Sequence, residues 1–280
     1  MCKLCSDLGA ARLSRRTLVR AGAAGAGAFG LAVAGRGWIV SEAADATPTA
    51  GGTPTPAHWT YEGEEGPAHW GDLDPAYAAC SQGTAQSPID IANPTHGDVP
   101  DLTFAEQALS PIRIINNGHT IQVTAPPGNT IAFDGTTYEL TQFHFHTPSE
   151  HQIDGKAQAM ELHLVHKDQD GNLAVLAVLL TEGAENAALK PVFDNMPPTA
   201  GPEQSVDGTV NLSDLLPADK STYRYDGSLT TPPCSEGVKW VVFVQTMDVS
   251  KEQAAAFRGI FAENARPVQP LNGRTIVESE

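Results

Sequence analysis

Short apolar segments rich in β-branched and aromatic residues recur through residues 112–246, each bounded by a turn. They restrict the chain to folds built on strands. The segments are Ile112–Ile115, Thr120–Thr124, Thr130–Phe133, Gln142–His146, Met160–His166, Ala174–Leu180 and Lys239–Thr246. Between them stand Asn116-Asn117-Gly118, Pro126-Pro127-Gly128-Asn129, Asp134-Gly135 and Asp170-Gly171-Asn172, all compositions that favour chain reversal. Asp170-Gly171 reads as a hairpin connection, and the nearly all-apolar Leu173–Leu180 reads as a central strand covered on both faces. One helix is well signalled: Ser250-Lys251-Glu252-Gln253 fits a capping box and leads into Ala254–Ala262. Without an internal repeat or a second linker, a single mainly β (α+β) domain of roughly 220 residues is expected.

The first 57 residues do not belong to that pattern. Ser14-Arg15-Arg16-Thr17-Leu18-Val19-Arg20 sets paired arginines before a charge-free run, Ala21 to Gly35, that is mostly Ala and Gly. That run is too short and too weakly apolar to span a bilayer. Ala44-Asp45-Ala46 has the small-x-small form of a signal-peptidase site. Residues 1–46 therefore resemble a twin-arginine export signal, with an uncleaved membrane anchor as the alternative. Cys2 and Cys5 form a Cys-x-x-Cys without a partner pair, ahead of the signal, and are read as discarded sequence. Residues 47–57 are a Thr/Pro/Gly/Ala linker with almost nothing to bury, so the folded body is expected over 58–280. The whole chain carries 33 Asp+Glu against 17 Lys+Arg, a net charge of −16. This argues against nucleic acid and against stable association with an anionic membrane once the signal is gone.

Chemistry concentrates on two strands. In Gln142-Phe143-His144-Phe145-His146, the two His at i and i+2 project from one face, about 6–7 Å apart, while Phe143 and Phe145 point to the other. In Glu161-Leu162-His163-Leu164-Val165-His166, Glu161, His163 and Val165 share a face opposite Leu162, Leu164 and His166. If the strands are neighbours, His144, His146 and His163 converge. Three neutral imidazoles with one open position suit a catalytic Zn²⁺, since a closed structural site takes a fourth protein ligand. Spacing alone leaves half-buried strand histidines as an equal alternative.

The segment Gln142-Phe143-His144-Phe145-His146-x-x-Ser149-Glu150-His151, followed by Glu161-Leu162-His163-Leu164-Val165-His166 and Ser228-Leu229-Thr230-Thr231-Pro232-Pro233-Cys234, closely resembles the α-class carbonic anhydrases. So do Gln86-Ser87-Pro88-Ile89-Asp90-Ile91, Asn116-Asn117-Gly118-His119 and Asn264-x-Arg266-Pro267-x-Gln269-Pro270-Leu271-Asn272, in family order from about residue 58 to 280. The resemblance implies a large twisted, mostly antiparallel central β-sheet with a few short peripheral helices. It also implies reversible hydration of CO2 to bicarbonate and a proton by a zinc-activated hydroxide, with ester hydrolysis as a side activity.

Each role follows from that resemblance, residue by residue. Zn²⁺ would be held by His144, His146 and His163, with Gln142 orienting His144 and Glu161 orienting His163. Thr230 would donate to Glu150 and so orient the nucleophile, while Thr231 contacts bicarbonate. Val165, Val175, Leu229, Val238 and Trp240 would form the apolar wall that holds CO2. Proton export would fall to His119, across waters held by Tyr61, Asn117 and Thr231. The resemblance also implies a disulfide between Cys80 and Cys234, for which a periplasmic or extracellular location supplies the oxidising surroundings, and a homodimer. Two free buried thiols are the alternative to that disulfide. His58, His69, His96, His151 and His166 receive no role beyond structure or surface and no metal. Two other functions stand beside the enzyme: an interaction domain that has lost its metal, and a zinc hydrolase acting mainly on esters.

Overall fold

Residues 56–279 are described in a computed structural model of the chain; the expected export signal and nearly all of the linker lie outside the described residues. A thirteen-stranded sheet forms the body. Its main path runs through Gln204–Val206, Ile112–Asn116, Ile121–Thr124, Thr136–His146, Met160–Lys167, Leu173–Glu182, Glu236–Phe243, Thr222–Ser228, Val277–Ser279 and Thr95–Gly97. Most pairings are antiparallel. The exceptions within this sheet, among the described residues, are the two parallel neighbours of Leu173–Glu182 and the Val277–Ser279 pairing with Thr95–Gly97. The mainly β, mostly antiparallel architecture expected from the sequence is therefore present.

Strand alternation explains how one sheet serves two purposes. On one face Phe143, Phe145, Leu162, Leu164, Leu176 and Val178 join the main core, where Phe193 and Phe257 pack edge-on against Phe145. On the other face Val175, Ala177, Val238, Trp240 and Val242 make a second apolar layer. Leu173–Glu182 supplies both layers, and residues 174–180 are all fully covered, as a continuous apolar run requires. The turn before it reverses at residues 168–172, where the Asp168 carboxylate accepts the N–H groups of Asp170 and Asn172. Gly171 there has φ +90, a left-handed conformation that favours glycine.

Register brings the chemistry together. Met160–Lys167 pairs antiparallel with Thr136–His146, and His163 stands directly opposite His144 while Glu161 stands opposite His146. The pairing with Leu173–Glu182 continues the sheet on the other side.

Several boundaries differ from expectation: the strand expected over 142–146 already begins at Thr136, and that expected over 174–180 runs from Leu173 to Glu182. The capping box forms, with the Ser250 hydroxyl accepting from the Gln253 N–H and Gln253 reaching back to the Ser250 N–H. The helix spans Lys251–Arg258, however, and does not run on to Ala262. At Gly259 the chain turns, which lets Ile260 and Phe261 pack on the main core. The strand expected over 239–246 is Glu236–Phe243, because Glu236 and Val238 pair with Ser228 and Gly227 of the Thr222–Ser228 strand, across a register shift at Gly237. That partner strand, Thr-Tyr-Arg-Tyr-Asp-Gly-Ser, carries no apolar run and was not expected.

Candidate metal centre

Three imidazoles meet on the second face of the sheet. Their ring centroids lie 5.0 Å (His144–His146), 5.3 Å (His144–His163) and 4.6 Å (His146–His163) apart. One nitrogen from each falls within 4.8 Å of the others. The remaining nitrogen of each ring is committed elsewhere. His144 Nδ1 faces Gln142 Oε1 at 2.8 Å, His163 Nε2 faces Glu161 Oε1 at 2.8 Å, and His146 Nδ1 faces the main-chain carbonyl of Asn264 at 2.7 Å. These acceptors force each ring to carry its proton on the outer nitrogen and to turn a lone pair inward.

His146 Nε2 is fully buried and has no hydrogen-bond partner. An orphaned buried nitrogen costs about 1–3 kcal/mol, so its persistence beside two further lone pairs marks a place for an electrophile. Burial keeps the rings neutral: it pulls His144 well below its usual range, His146 down to about 4, and lowers His163 despite the opposing pull of Glu161. Three neutral nitrogens fit Zn²⁺ with a position left open.

Carboxylates stand behind the imidazoles. Burial alone would raise Glu161, but His151 and His163 beside it hold it well below the usual carboxylate range. Its Oε2 accepts the main-chain N–H groups of Glu150 and His151, both at 2.8 Å. Glu150 is also buried, and burial pushes its carboxyl up to about 7 against the pull of His163. Its Oε1 accepts the Arg266 N–H at 2.9 Å, while Oε2 has no partner at hydrogen-bond distance. The Thr230 hydroxyl lies against this carboxyl and lowers it, without the geometry of a formed hydrogen bond.

The other residues singled out by sequence occupy the surroundings. Val175, Val238 and Trp240 are buried in the second apolar layer, with Val165 and Leu229 packed against it on the same face as the histidines. Trp240 Nε1 donates to the Ser228 carbonyl at 3.0 Å, which ties that wall to the Thr230 loop. Thr231 accepts the Cys234 N–H through its carbonyl at 2.8 Å. His119 lies flat on Trp59, with ring centroids 3.7 Å apart and planes 7° from parallel. Partial burial and the nearby His58 lower its pKa. Asn117 is exposed, and its Oδ1 caps the turn through the His119 and Thr120 N–H groups. Tyr61 is raised well above its usual value by burial and by Glu150, and packs edge-on against Trp59 and Trp70.

Cys80 and Cys234 form a disulfide with a Cα–Cα distance of 5.0 Å. Arg266 is buried behind it: its guanidinium donates to Cys80 O, Ser87 O and Gln86 Oε1. Asn264 and Arg266 were visible in sequence only as parts of a motif, and their contacts to His146 and Glu150 were not anticipated.

Comparisons with known proteins agree with this arrangement. Residues 65–280 match the family model described as eukaryotic-type carbonic anhydrase. The chain is 46% identical over 227 residues to a carbonic anhydrase of Klebsiella pneumoniae, covering 79% of this chain and 91% of that protein. It is 45% identical to one of Pectobacterium carotovorum, covering 79% and 90%. Among solved structures, α-carbonic anhydrase from Thermovibrio ammonificans in complex with sulfanilamide superimposes with a TM-score of 0.76 at 44% identity, over 79% of this chain and 99% of that one. Fold and site define a class of protein: a β-sheet domain with three imidazoles on one face positioned to hold a metal. The chain belongs to the eukaryotic-type, or α-class, carbonic anhydrase family, and CO2 hydration is the activity that membership supports.

Proposed function

We propose that the protein is an exported, zinc-dependent carbonic anhydrase in which His144, His146 and His163 hold the metal. The observation that carries this reading is the buried, partnerless Nε2 of His146 beside two imidazoles whose outer nitrogens are already engaged. Zinc held by three neutral ligands acts as a Lewis acid and brings the ionisation of water into the neutral range, as is established for carbonic anhydrases.

The chain's own residues do the rest. Gln142, Glu161 and the Asn264 carbonyl fix the three rings. Thr230 gives its hydroxyl proton to Glu150, so its oxygen is left to accept from the nucleophile and aims it. Val165, Val175, Leu229, Val238 and Trp240 offer CO2 an apolar surface free of competing donors. Thr231 holds bicarbonate. His119, half-buried at the rim against Trp59, takes the proton outward over waters held by Tyr61, Asn117 and Thr231. Ester hydrolysis is a side activity of the same nucleophile.

Residues 1–46 act as the export signal and 47–57 as the linker. The Cys80–Cys234 disulfide supports an oxidising destination, periplasmic or extracellular. No helix among the described residues is long and apolar enough to cross a membrane. The homodimer implied by the resemblance is read out by sedimentation of the purified protein.

Stopped-flow CO2 hydration before and after chelation tests the function. Hydration is expected to disappear with the metal and return on adding Zn²⁺. Hydration that persists in folded, metal-free protein would overturn the assignment.

A further inference from the structure

Arg224, in the Thr222–Ser228 strand, carries a guanidinium that is almost unused. Its Nε donates to Thr222 Oγ1 at 3.1 Å, the one hydrogen bond this side chain makes among the described residues. Its Nη1 is fully buried and has no partner. The other four arginines among the described residues differ: Arg113 and Arg258 meet carboxylates, while Arg266 and Arg274 donate from several nitrogens to nearby oxygens. Buried donors without acceptors are rare in folded proteins, and a charged one calls for an acceptor from outside the chain.

Strand register sets this cation on the face of the sheet opposite the imidazoles. Tyr223 and Tyr225 on either side of it pack into the second apolar layer, so Arg224 points the other way. It stands opposite Val241 on one neighbouring strand and Val277 on the other. The Phe133 ring covers it, with 5.5 Å between the guanidinium carbon and the ring centroid. Burial pulls its pKa down against the opposing pull of Asp134 and Asp101, yet a guanidinium keeps its charge.

A cavity of about 220 Å³ opens beside Arg224, bordered by Phe133, Asp134, Val241, Thr275 and Val277. That is below the roughly 300–1,000 Å³ of pockets for drug-sized ligands and suits a molecule of a few heavy atoms. Lys239 and Asp226 also border it, but they pair with each other at 2.7 Å. One cation, Arg224, and one carboxylate, Asp134, are left facing the cavity, and no arginine or lysine among the described residues pairs with Asp134. A two-residue turn holds Asp134 there: Asp134 and Gly135 have φ 51 and 72 between the paired strands Thr130–Phe133 and Thr136–His146. A second cavity lined by Arg224 carries Asp98, Asp101 and Asp219 against Lys220, an excess of carboxylates that disfavours an anion.

We propose that the cavity between Arg224 and Asp134 binds a small α-amino acid as its zwitterion. The carboxylate pairs with the Arg224 guanidinium through the nitrogens that Thr222 leaves unused, and the ammonium faces Asp134. A short apolar side chain lies against Phe133, Val241 and Val277. An acid alone would meet the charge of Asp134, and an amine alone that of Arg224; a molecule with both charges satisfies the two together.

The test follows the main-chain amide resonances of the zinc-loaded protein during titration with millimolar alanine, with acetate and methylammonium as single-charge controls. Alanine is expected to shift Asp134, Gly135 and Arg224 saturably, and each control to bind about 10-fold more weakly or worse, for want of one charged contact. Arg224→Met, which keeps an apolar stem beneath Phe133, should weaken alanine about 10–100-fold. Asp134→Asn, which the left-handed turn tolerates, should reduce alanine to the affinity of acetate and leave acetate no weaker. Should Arg224→Met fail to fold, Asp134→Asn and the two controls decide. The proposal is overturned if acetate binds as tightly as alanine, or if either folded variant keeps wild-type affinity. Alanine shifts confined to residues around His119, or no shifts at all, would overturn it as well.

Discussion

The main-chain carbonyl of Asn264 accepts the Nδ1–H of His146 at 2.7 Å, across 118 positions of sequence. The same residue's amide takes the Thr147 N–H on Oδ1 and donates from Nδ2 to the carbonyls of Phe145 and His119. One fully buried asparagine thus locks a candidate ligand, the strand end that carries it, and the backbone of the candidate proton carrier.

Replacing Asn264 by Ala leaves the Thr147 N–H without its acceptor and removes a donor from two carbonyls. Unfolding by urea should show a loss of about 2–4 kcal/mol, more than a single buried hydrogen bond accounts for. A loss below about 1 kcal/mol would show that water replaces the amide and that the clamp is weak.

His119 lies half-buried on Trp59, and that burial, with His58 nearby, lowers its pKa. The ring is therefore neutral, and able to accept a proton, to lower pH than a free imidazole. Its carbon-bound proton resonance should titrate with a midpoint below about 6.5, and Trp59→Ala should move the midpoint upward. His119→Ala should slow CO2 hydration in weak buffer and be rescued by added imidazole. Unchanged turnover in weak buffer would remove the proton-carrier role and leave the metal assignment standing.

The Cys80–Cys234 disulfide closes a sequence separation of 154 residues and lies within four residues of Thr230. Chain entropy alone assigns a loop of that length roughly 5 kcal/mol, less any native strain. Reduction, or the Cys80→Ser variant, should lower the unfolding free energy by an amount up to this and leave the far-UV spectrum native at 25 °C. Non-reducing electrophoresis after thiol alkylation gives the companion check: the native protein should take up no label at either cysteine.

His166 offers a pH test away from the metal centre. It is buried in the main sheet, donates from Nδ1 to the Leu164 carbonyl at 3.0 Å, and burial lowers its pKa to about 4. The unfolded chain, with an ordinary imidazole near 6.5, binds the proton first as pH falls. The neutral ring's contribution is thus fully present above about pH 6.5 and is lost as pH falls through about 4, amounting to ~3 kcal/mol. His166→Gln should flatten the decline of unfolding free energy between those limits. An unchanged slope would mean that other groups carry the acid sensitivity.

Much of the fold was legible because strand burial has a period of two and leaves a trace in residue order. Phe143 and Phe145 against His144 and His146 already predict which face is core and which is site, and the sheet seats them accordingly. The nearly all-apolar Leu173–Leu180 was legible as a doubly covered strand for the same reason. The Thr222–Ser228 strand was not, because its polar side chains find partners that sequence does not display: Tyr225 meets His151 and Ser87, and Ser228 meets Ser87. The helix end differs because the Ala-rich stretch from Ala254 to Ala262 looks helical throughout, while the pull of Ile260 and Phe261 into the core is a tertiary effect.

The sequence by itself determined the strand-built class, the pairing of imidazoles on one strand face and the candidate ligand set, since these depend on side-chain identity and local period. Tertiary structure alone decided which nitrogen of His146 turns inward. The acceptors of His144 and His163 stand two residues away on their own strands, but that of His146 is the carbonyl of Asn264, 118 positions distant, and a main-chain oxygen is the same atom in every residue and leaves no mark in a sequence.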